Sequence, residues 1–534
     1  MLAAALSIAL GTGFASCQED VTPTKGRPGP AGPAQQRPTP AQSPQAAQTS
    51  EAPRRSAPWS AQEAAGKRGL RVNAEGAFEG YTLVSPNNSR EVHLLDMQGN
   101  IVHTWATGSV PGGAVQLLAD GHLLRCGQAP DNPRFHGRGL AGLIEEIAWD
   151  GTVVWQYRLA NGDVTQHHEV EALPNGNVLA IAWEHRTQEE ALAAGRDPAW
   201  VGEKGLWPDT VVELKPLPPD GAEVVWTWRL WDHLVQDRNP RAPNHGAPRD
   251  VPGRVDINFD HRGAPAVEVQ ESEEDRLARE AQEETLRQMG YVGGEDPAPS
   301  AGDGPQRNPD FVHTNSVDYH PGLDLIVLSP RHASEAWVID HSTTTAEAAT
   351  SSGGRYGHGG DLLWRWGNPR IWGHGGEADQ RLFHQHDVTW LPVDAGAPPR
   401  LLLFNNGIDR PSGEFSEVFE LELPFDAARG FVRDGAAPWG PAAPAWVYSR
   451  SAGFYSGYIS GAQRLGNGNT LICSGLPGHV FEVDPSGHVV WDFLNSLGGA
   501  VAATESGNVM PPNALFRALR IAKDDPRLAG KLGG

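Results

Sequence analysis

Cysteine is scarce in this chain. The 534 residues contain 3 cysteines, and the sequence has no CxxC pair and no Cys/His spacing of the kind that binds structural zinc. Cys126 and Cys473 lie inside apolar, strand-like runs, which favours buried free thiols at least as much as a disulfide between them. Cysteine therefore predicts neither a zinc site nor a disulfide framework.

Positive charge is also in short supply. Lys+Arg 43 against Asp+Glu 65 gives a formal net charge of −22. A protein that binds nucleic acid needs a basic surface to neutralise phosphates, and charge-driven binding to an anionic membrane needs one as well, so both classes are excluded. An acidic protein that handles an anion needs a local cation, which draws attention to single arginines.

The N-terminus carries a short hydrophobic run. The stretch 1–17 is too short to be a convincing spanning helix, and it ends in small residues directly before Cys17. This pattern predicts a signal peptide with lipid attached at Cys17, and an ordinary cleaved signal peptide is the alternative. The protein is therefore expected to be exported to the periplasm or cell surface, with membrane contact only through the lipid.

Turn-forming residues and tryptophan are abundant. The chain has Gly 63, Pro 44 and Trp 18. Residues 18–66 are rich in Pro, Gln, Ala and Ser, which predicts a disordered linker. From residue 67 the glycines and tryptophans recur in short hydrophobic segments, which is typical of many short strands joined by turns.

A repeat runs through residues 67–534. One half of it is a strand, a turn and a strand that ends in Trp, as in Trp149–Trp155, and the other half contains an Asn-Gly or Asp-Gly turn, as in Leu173–Leu179. These turns favour tight hairpins. Two hairpins make a four-stranded blade, so six Trp-ended units predict an all-β, six-bladed β-propeller. A returning C-terminal strand within 508–521 is expected to close the ring.

Two segments break the repeat. Residues 232–310 form a polar insertion that includes a charged, helix-like piece at Ser272–Met289, and residues 341–360 form a Gly/Ser/Thr-rich loop. The predicted domain order is therefore a signal peptide over 1–17, a linker over 18–66 and a propeller over 67–534 that carries this insertion.

The inner strands can be aligned on their turns. The alignment brings one small apolar residue of each strand to a common position, namely Val115, Val170, Val317, Val388 and Ala462. Residues two and four places earlier lie on one face of the strand, near its start, where propeller strands converge on a central channel. These residues are Pro111/Gly113, Gln166/His168, His313/Asn315, His384/His386 and Tyr458/Ser460. Histidines at matched places predict a polar axial cavity that binds a ligand.

Arg331 follows the strand after His313. An imidazole, an amide and a guanidinium together suit an anionic group such as a sulfuryl or phosphoryl group. Three chemistries remain open for such a cavity: metal binding by several histidines, nucleophilic catalysis by a neutral histidine, and ligand binding without turnover. No carboxylate occupies the aligned inner places, so no metal ligand set is predicted.

Three stretches resemble one family, the bacterial PAPS-independent arylsulfotransferases. They are Gly80–Pro86, His313–Arg331 and Gly461–Ile472, and the resemblance extends from about Gly76 to Arg527. It implies a six-bladed propeller and ping-pong transfer of a sulfuryl group from a small-molecule aryl sulfate donor to a phenolic acceptor. It implies no cofactor.

The resemblance also assigns roles to residues. His313 matches the histidine that is transiently sulfated, and Arg331 and Asn315 match the residues that hold the sulfate oxygens. His168 and one of His384 or His386 match the other two active-site histidines, and His386 is preferred because its His-Asp-Val setting parallels His168-Glu-Val. The remaining expected substrate contacts are His384, Ser460 and Tyr458.

Other classes of protein stay open on the sequence. One is a non-catalytic, surface-anchored propeller that binds a partner, and another is a metal-dependent propeller enzyme that uses the histidines. Quinone-cofactor propeller dehydrogenases share blades that end in Trp, but the ring of histidines is foreign to them.

Overall fold

The computed structural model describes residues 59–129, 131–261, 308–394, 396–435, 437–498 and 511–532. The predicted signal peptide with Cys17, most of the predicted linker and the helix-like piece of the insertion lie outside these residues. Within the described ranges, no helix has the length and apolar character needed to cross a bilayer.

The described chain consists mainly of short strands. In chain order they are β1 (Gly69–Asn73), β2 (Gly80–Pro86), β3 (Glu91–Leu95), β4 (Ile101–Ala106), β5 (Pro111–Leu117), β6 (Leu123–Gln128), β7 (Gly142–Ile147), β8 (Val153–Arg158), β9 (Val164–Ala172), β10 (Val178–Glu184), β11 (Asp209–Leu217), β12 (Gly221–Arg229), β13 (Leu234–Val235), β14 (Val255–Asp256), β15 (Thr314–His320), β16 (Leu325–Pro330), β17 (Ala336–Asp340), β18 (Trp364–Trp366), β19 (His386–Leu391), β20 (Arg400–Asn405), β21 (Glu417–Glu422), β22 (Phe425–Asp426), β23 (Gly430–Phe431), β24 (Trp446–Ser449), β25 (Gly461–Arg464), β26 (Thr470–Ser474), β27 (His479–Val483), β28 (Val489–Leu494) and β29 (Leu515–Ala522). The α-helices are short: α1 (Ala61–Ala64), α2 (Gln188–Ala193) and α3 (Thr345–Ala348).

Consecutive strands pair as four-stranded antiparallel units. These units are β5–β6–β7–β8, β9–β10–β11–β12, β15–β16–β17–β18, β19–β20–β21–β24 and β25–β26–β27–β28, and β1 adds a further strand beside β28. The C-terminal β29 pairs with β2 and completes the unit β29–β2–β3–β4. This is the return of the C-terminal strand that the sequence predicts.

The first strands of the units lie side by side. They follow the order β29, β5, β9, β15, β19 and β25, and β25 in turn neighbours β29. The fold is therefore all-β and propeller-like, with the first strand of each unit around a common axis.

The tryptophans that end the repeats join neighbouring units. In three of them the indole N–H donates to a backbone carbonyl of the next unit: Trp155 to Gly221 at 2.7 Å, Trp364 to Gly440 at 2.8 Å and Trp491 to Met97 at 3.0 Å. All three indoles are buried. A buried indole must satisfy its N–H, so the repeated Trp packs the core and also orients the next unit.

The end of the predicted linker is part of the folded structure. Residues 59–66 include α1, and the Glu63 side chain is only 3% exposed. Its carboxylate accepts hydrogen bonds from His479 Nδ1 at 2.9 Å, Tyr455 N at 2.9 Å and Ser474 Oγ at 3.1 Å. The ordered part therefore begins earlier than residue 67, because one buried carboxylate attaches this segment to the unit β25–β28.

The described part of the predicted insertion is also packed. Val255, Ile257 and Phe259 are buried in the core shared by the units of β9–β12 and β15–β18. The neighbouring loop 341–360 lies against β12, where Trp228 Nε1 donates to Gly360 O at 2.7 Å. These segments fill the space between two units.

Candidate active site

The histidines and Ser460 singled out from the sequence lie within the inner strand β9 or at the starts of the inner strands β15, β19 and β25, and Arg331 follows β16. At each of these inner-strand positions the backbone departs from regular geometry. The backbone φ is 55° at His168, 53° at His313, 59° at His384 and 90° at Ser460. Residues other than glycine rarely adopt this left-handed backbone region. The backbone strain that it causes is concentrated at functional sites.

His313 lies at the centre of the cluster. Its ring centroid is 4.5 Å from that of His168 and 5.0 Å from that of His332. Its Nδ1 is hydrogen-bonded to Asp310 Oδ2, and Asp310 Oδ1 accepts a hydrogen bond from Trp183 Nε1 at 3.1 Å. A carboxylate on Nδ1 fixes the proton there and leaves Nε2 with its lone pair.

The His168 ring is hydrogen-bonded to the ring of the preceding residue, His167. Its Nδ1 lies 2.7 Å from His167 Nδ1, so one of these atoms donates a proton to the other. Regular strand alternation places His167 on the other side of the strand from the cavity, and its fully buried ring stacks on Trp183 with centroids 4.2 Å apart. The positive φ at His168 and the bulge between Gln166 and Val170 turn the two rings toward each other.

His386 is held by a neutral amide. Its Nδ1 lies 2.7 Å from Asn406 Oδ1. Asn406 Nδ2 donates to the backbone oxygens of Ser456 and Ile459, at 2.7 Å and 2.9 Å, which orients the amide with its oxygen toward the ring. His386 therefore also carries its proton on Nδ1 and has a lone pair on Nε2.

Arg331 supplies the positive charge. Its backbone N–H donates to His313 O at 3.2 Å, and its guanidinium lies 5.1 Å from the centre of the Tyr458 ring. Arg331 Nε is buried, and no group among the described residues accepts its hydrogen bond. A buried guanidinium donor without an acceptor beside several imidazoles is suited to binding an anion.

The remaining predicted contacts differ in how accessible they are. His384 lies at the edge, with Nε2 3.6 Å from Asp409 Oδ2 and a side chain 25% exposed. Asn315 is fully buried, and its amide Nδ2 donates to Gln385 O at 2.8 Å. Ser460 is likewise buried, and its hydroxyl accepts from Gly475 N at 2.9 Å and contacts Ser456 Oγ at 2.9 Å. Ser460 therefore holds the loop that presents Tyr458.

Burial sets the charge of the imidazoles. It lowers the pKa of His168, His313 and His386 well below the ordinary histidine value, and nearby positive groups lower it further. For His313 and His386 the main such group is the Arg331 guanidinium. These three rings are therefore neutral at neutral pH, which is the form that has a nucleophilic lone pair.

One group of donors resembles a metal site. Atoms of Asp310, His313 and His332 lie within 4.8 Å of one another. However, Asp310 is bonded directly to His313, and the rings of His313 and His332 stack at an interplanar angle of 24°. Metal ligands point at a common centre, so we interpret this group as a hydrogen-bonded pair beside a stacked ring.

A cavity of about 210 Å³ adjoins the cluster. His332 and His384 form part of its wall, and Phe259, Phe383 and Ile408 supply apolar surface. A second cavity, of about 230 Å³, lies further along the inner strands. It is lined by charged residues that include Glu171, Asp318 and Arg517, and none of its lining residues is a histidine. We therefore place the chemistry at the first cavity, which offers an aromatic surface next to the imidazoles.

Sequence reasoning missed five residues of the site: His167, Asp209, Asp310, His332 and Asn406. Asp310 and His332 are adjacent in the chain to residues that were predicted, so proximity to His313 and Arg331 was an available signal. Asp209 and Asn406 come from other strands, and nothing in their local sequence indicates the contact.

Comparison with known proteins gives one family. The family model described as arylsulfotransferase (ASST) matches residues 72–418. No curated protein matches the chain.

Several solved structures are distantly similar. A protein of unknown function from Bacteroides caccae is 11% identical, over 83% of this chain and 99% of that one, with a TM-score of 0.37. The periplasmic gluconolactonase of Pseudomonas aeruginosa is 13% identical, over 78% of this chain and 96% of that one, with a TM-score of 0.36. These likenesses are too remote to support an inference about this site.

Proposed function

We propose, from the premise that the chain belongs to the arylsulfotransferase family, that it is an aryl-sulfate sulfotransferase that uses no nucleotide cofactor. It moves a sulfuryl group from an aryl sulfate ester to a phenol. One observation carries the proposal: the buried, acceptor-free Nε of Arg331 lies in the same cluster as two imidazoles, His313 and His386, whose Nε2 lone pairs are available.

The proposed reaction is ping-pong. In the first half, a histidine Nε2 attacks sulfur, the N–S bond forms, and the S–O bond to the aryl group breaks. The phenolate oxygen leaves with the electron pair and takes a proton from His168. In the second half, an acceptor phenol gives its proton to His168, its oxygen attacks sulfur, and the N–S bond breaks. Arg331 and Asn315 orient the other sulfate oxygens, which is mainly positioning and electrostatic stabilisation.

Two histidines are candidates for the nucleophile. The resemblance points to His313, and the hydrogen bonds favour His386 as a second candidate. The Asp310 carboxylate beside His313 stabilises an imidazolium, which suits proton transfer, whereas the neutral Asn406 amide leaves His386 as an uncharged nucleophile.

Mass spectrometry tests the covalent step. The protein is incubated with para-nitrophenyl sulfate without acceptor, and its intact mass is measured. We expect one added sulfuryl group, which disappears when phenol is added. Peptide mapping then places the group on His313 or on His386. An unchanged mass, with turnover of donor absent, would contradict the proposed function.

We also infer that the ring has six blades. The support is the set of six first strands, β29, β5, β9, β15, β19 and β25, each followed by its own antiparallel partners. Six blades leave an axial channel narrow enough for side chains from opposite units to meet.

Export and lipid attachment at Cys17 are part of the proposal. The support is the apolar run that ends at Cys17 and the Pro-rich segment that follows it. Metabolic labelling with a fatty acid should mark the native protein, and Cys17→Ser should remove the label and release the protein from the membrane fraction.

A metal-dependent enzyme and a non-catalytic binding propeller are the competing functions. Dialysis against a chelator distinguishes the metal-dependent enzyme from the proposed transferase, because a histidine nucleophile retains its full rate without metal. The second predicts that no donor produces a covalent adduct.

A further inference from the structure

Behind His168 a chain of buried groups leads away from the cavity. His167 is fully buried, and its ring stacks on Trp183 with centroids 4.2 Å apart. Its Nδ1 is bonded to His168 Nδ1, and its Nε2 lies 3.4 Å from Asp209 Oδ1. The contact between His167 Nε2 and Asp209 Oδ1 is an ion-pair contact, because neither atom has a hydrogen-bond partner within the described residues. The chain therefore runs from the Asp209 carboxylate through the His167 imidazole to the His168 imidazole, which faces the cavity.

The orientation of the chain follows from Asp209. Its other oxygen, Oδ2, accepts a hydrogen bond from Thr314 N at 2.7 Å, which leaves Oδ1 facing His167 Nε2. A carboxylate facing His167 Nε2 requires a proton on that nitrogen. The proton between the two Nδ1 atoms is then the mobile one, because it can reside on either ring without breaking any contact.

From this geometry we propose that Asp209, His167 and His168 form a proton relay that stores the proton of the sulfuryl-transfer cycle. The proposal rests on the function proposed above. In the free enzyme, His167 is protonated on both nitrogens beside Asp209, and His168 carries its proton on Nε2, toward the substrate.

The proton moves in opposite directions in the two halves of the cycle. When the donor reacts, His168 Nε2–H protonates the leaving phenolate oxygen, and the proton of His167 Nδ1 passes to His168 Nδ1. When the acceptor phenol reacts, its proton goes to His168 Nε2, and the proton of His168 Nδ1 returns to His167. No proton is gained or lost over the cycle. The proton transfers of the second half-reaction are those of the first half-reaction in reverse.

The surroundings explain why the stored charge belongs on His167. Burial disfavours a cation on the His168 ring, and so do the neighbouring His313, His167, His386 and Arg331. His167 faces the Asp209 carboxylate and lies in the field of Asp310, with His313 as a further neighbour. The relay therefore holds a proton that His168 alone would not keep at neutral pH.

Donors with different leaving groups test the relay. Para-nitrophenolate leaves without a proton, whereas the more basic phenolate of phenyl sulfate needs one. For Asp209→Asn and His167→Phe, we expect kcat/KM for phenyl sulfate to fall about 10- to 100-fold, while the value for para-nitrophenyl sulfate is little changed. Asp340→Asn is the control, because Asp340 is also buried and accepts from the backbone N–H groups of Ser342 and Tyr356.

An equal loss with both donors would overturn the relay, since it would show only a structural role. Histidine-selective ¹⁵N NMR gives a second readout that needs no turnover. We expect His167 to carry protons on both ring nitrogens in the free enzyme and to lose one in Asp209→Asn. An unprotonated His167 Nε2 in the wild-type protein would refute the relay even if transfer is observed. If the NMR pattern is as expected but no sulfuryl transfer is observed, the proposed function is refuted instead.

Discussion

At the scale of single residues, each histidine of the site has one ring nitrogen held by a different partner. Asp310 holds His313, Asn406 holds His386 and His167 holds His168. The partner decides which nitrogen has the lone pair and how well the ring tolerates positive charge. Three chemically identical side chains can therefore perform three different roles in one reaction.

The first prediction concerns the nucleophile and the anion-binding cation. His313→Ala should abolish sulfuryl transfer, and Arg331→Ala should lower kcat on the order of 100- to 1000-fold, because one preorganised electrostatic donor is lost. Steady-state assays with para-nitrophenyl sulfate and phenol measure both. Arg381→Ala, at an exposed arginine, is the control. Full turnover in His313→Ala would assign the nucleophile to another residue.

The second prediction concerns the glycine that packs on His168. A Cβ at Gly139 would lie 2.1 Å from His168 Cε1, and the Gly139 carbonyl accepts from His168 N at 2.7 Å. Gly139→Ala should therefore displace the ring and reduce transfer by at least tenfold, comparable to the loss of a general acid. Gly137→Ala is the matched control, since Gly137 also has a positive φ but no atom within 4 Å of an added Cβ. Similar activities of the two variants would contradict this interpretation.

At the scale of strands, the bulged starts of β9, β15 and β19 serve two purposes. They turn the histidines toward one another, and they link each inner strand to the next. Glu169 accepts from Val317 N at 3.1 Å, Ser316 from Val388 N at 2.9 Å and Asp387 from Ala462 N at 2.9 Å. The residue after each site position thus fixes the spacing between neighbouring strands.

The third prediction concerns the attachment of α1. Burial lowers the pKa of His479, but hydrogen bonds to Asp492 and Glu63 outweigh burial and raise it above the ordinary value. A raised folded pKa means stabilisation that is complete below the unfolded pKa, about 6.5, and lost as pH rises through the folded pKa. Amide hydrogen exchange in residues 59–66 should therefore speed up as pH rises through that range, after correction for intrinsic exchange.

Glu63→Gln is the matching variant. It removes the charge that favours protonated His479, so protection in residues 59–66 should be lower and depend less on pH. A pH dependence equal to that of the wild type would show that His479 does not control the attachment.

At the scale of the whole molecule, the C-terminal strand places a cation on the axis. Arg517 of β29 contacts Glu169 Oε1 at 2.5 Å and Asp387 Oδ1 at 2.6 Å. One side chain therefore joins three inner strands directly beneath the histidines. Closing the ring and supporting the site depend on the same residue.

The fourth prediction is that Arg517→Met destabilises the protein by about 3–5 kcal/mol, because Glu169 and Asp387 would be left as buried, unpaired carboxylates. Denaturant unfolding measures the loss. Lys523→Met is the control, since Lys523 on the same C-terminal segment pairs with Glu79 at the surface. Equal stability of the two variants would refute the role of the axial arginine.

The sequence predicts those features that depend on residues close together in the chain. The strand-turn repeat and the burial of the tryptophans and of Cys126 and Cys473 follow from periodicity and turn chemistry, which act over a few residues, whereas the structure decides that both cysteines are free. The alignment of inner strands brought His168, His313 and His386 to matched positions for the same reason. The hydrogen bond between the His167 and His168 rings did not follow, because alternation assumes a regular strand and the bulge breaks it.

By itself, the sequence determined the all-β repeat, the family and the places of His168, His313, His384 and His386 on the inner strands, because each is encoded in spacing along the chain. Only the tertiary structure decided which atom each histidine presents. Asp209 and Asn406 reach their imidazoles from other parts of the chain. That Arg331 Nε has no hydrogen-bond acceptor among the described residues is visible only once its neighbours are in place. Contacts between distant segments depend on the packing of the units, which no local pattern records.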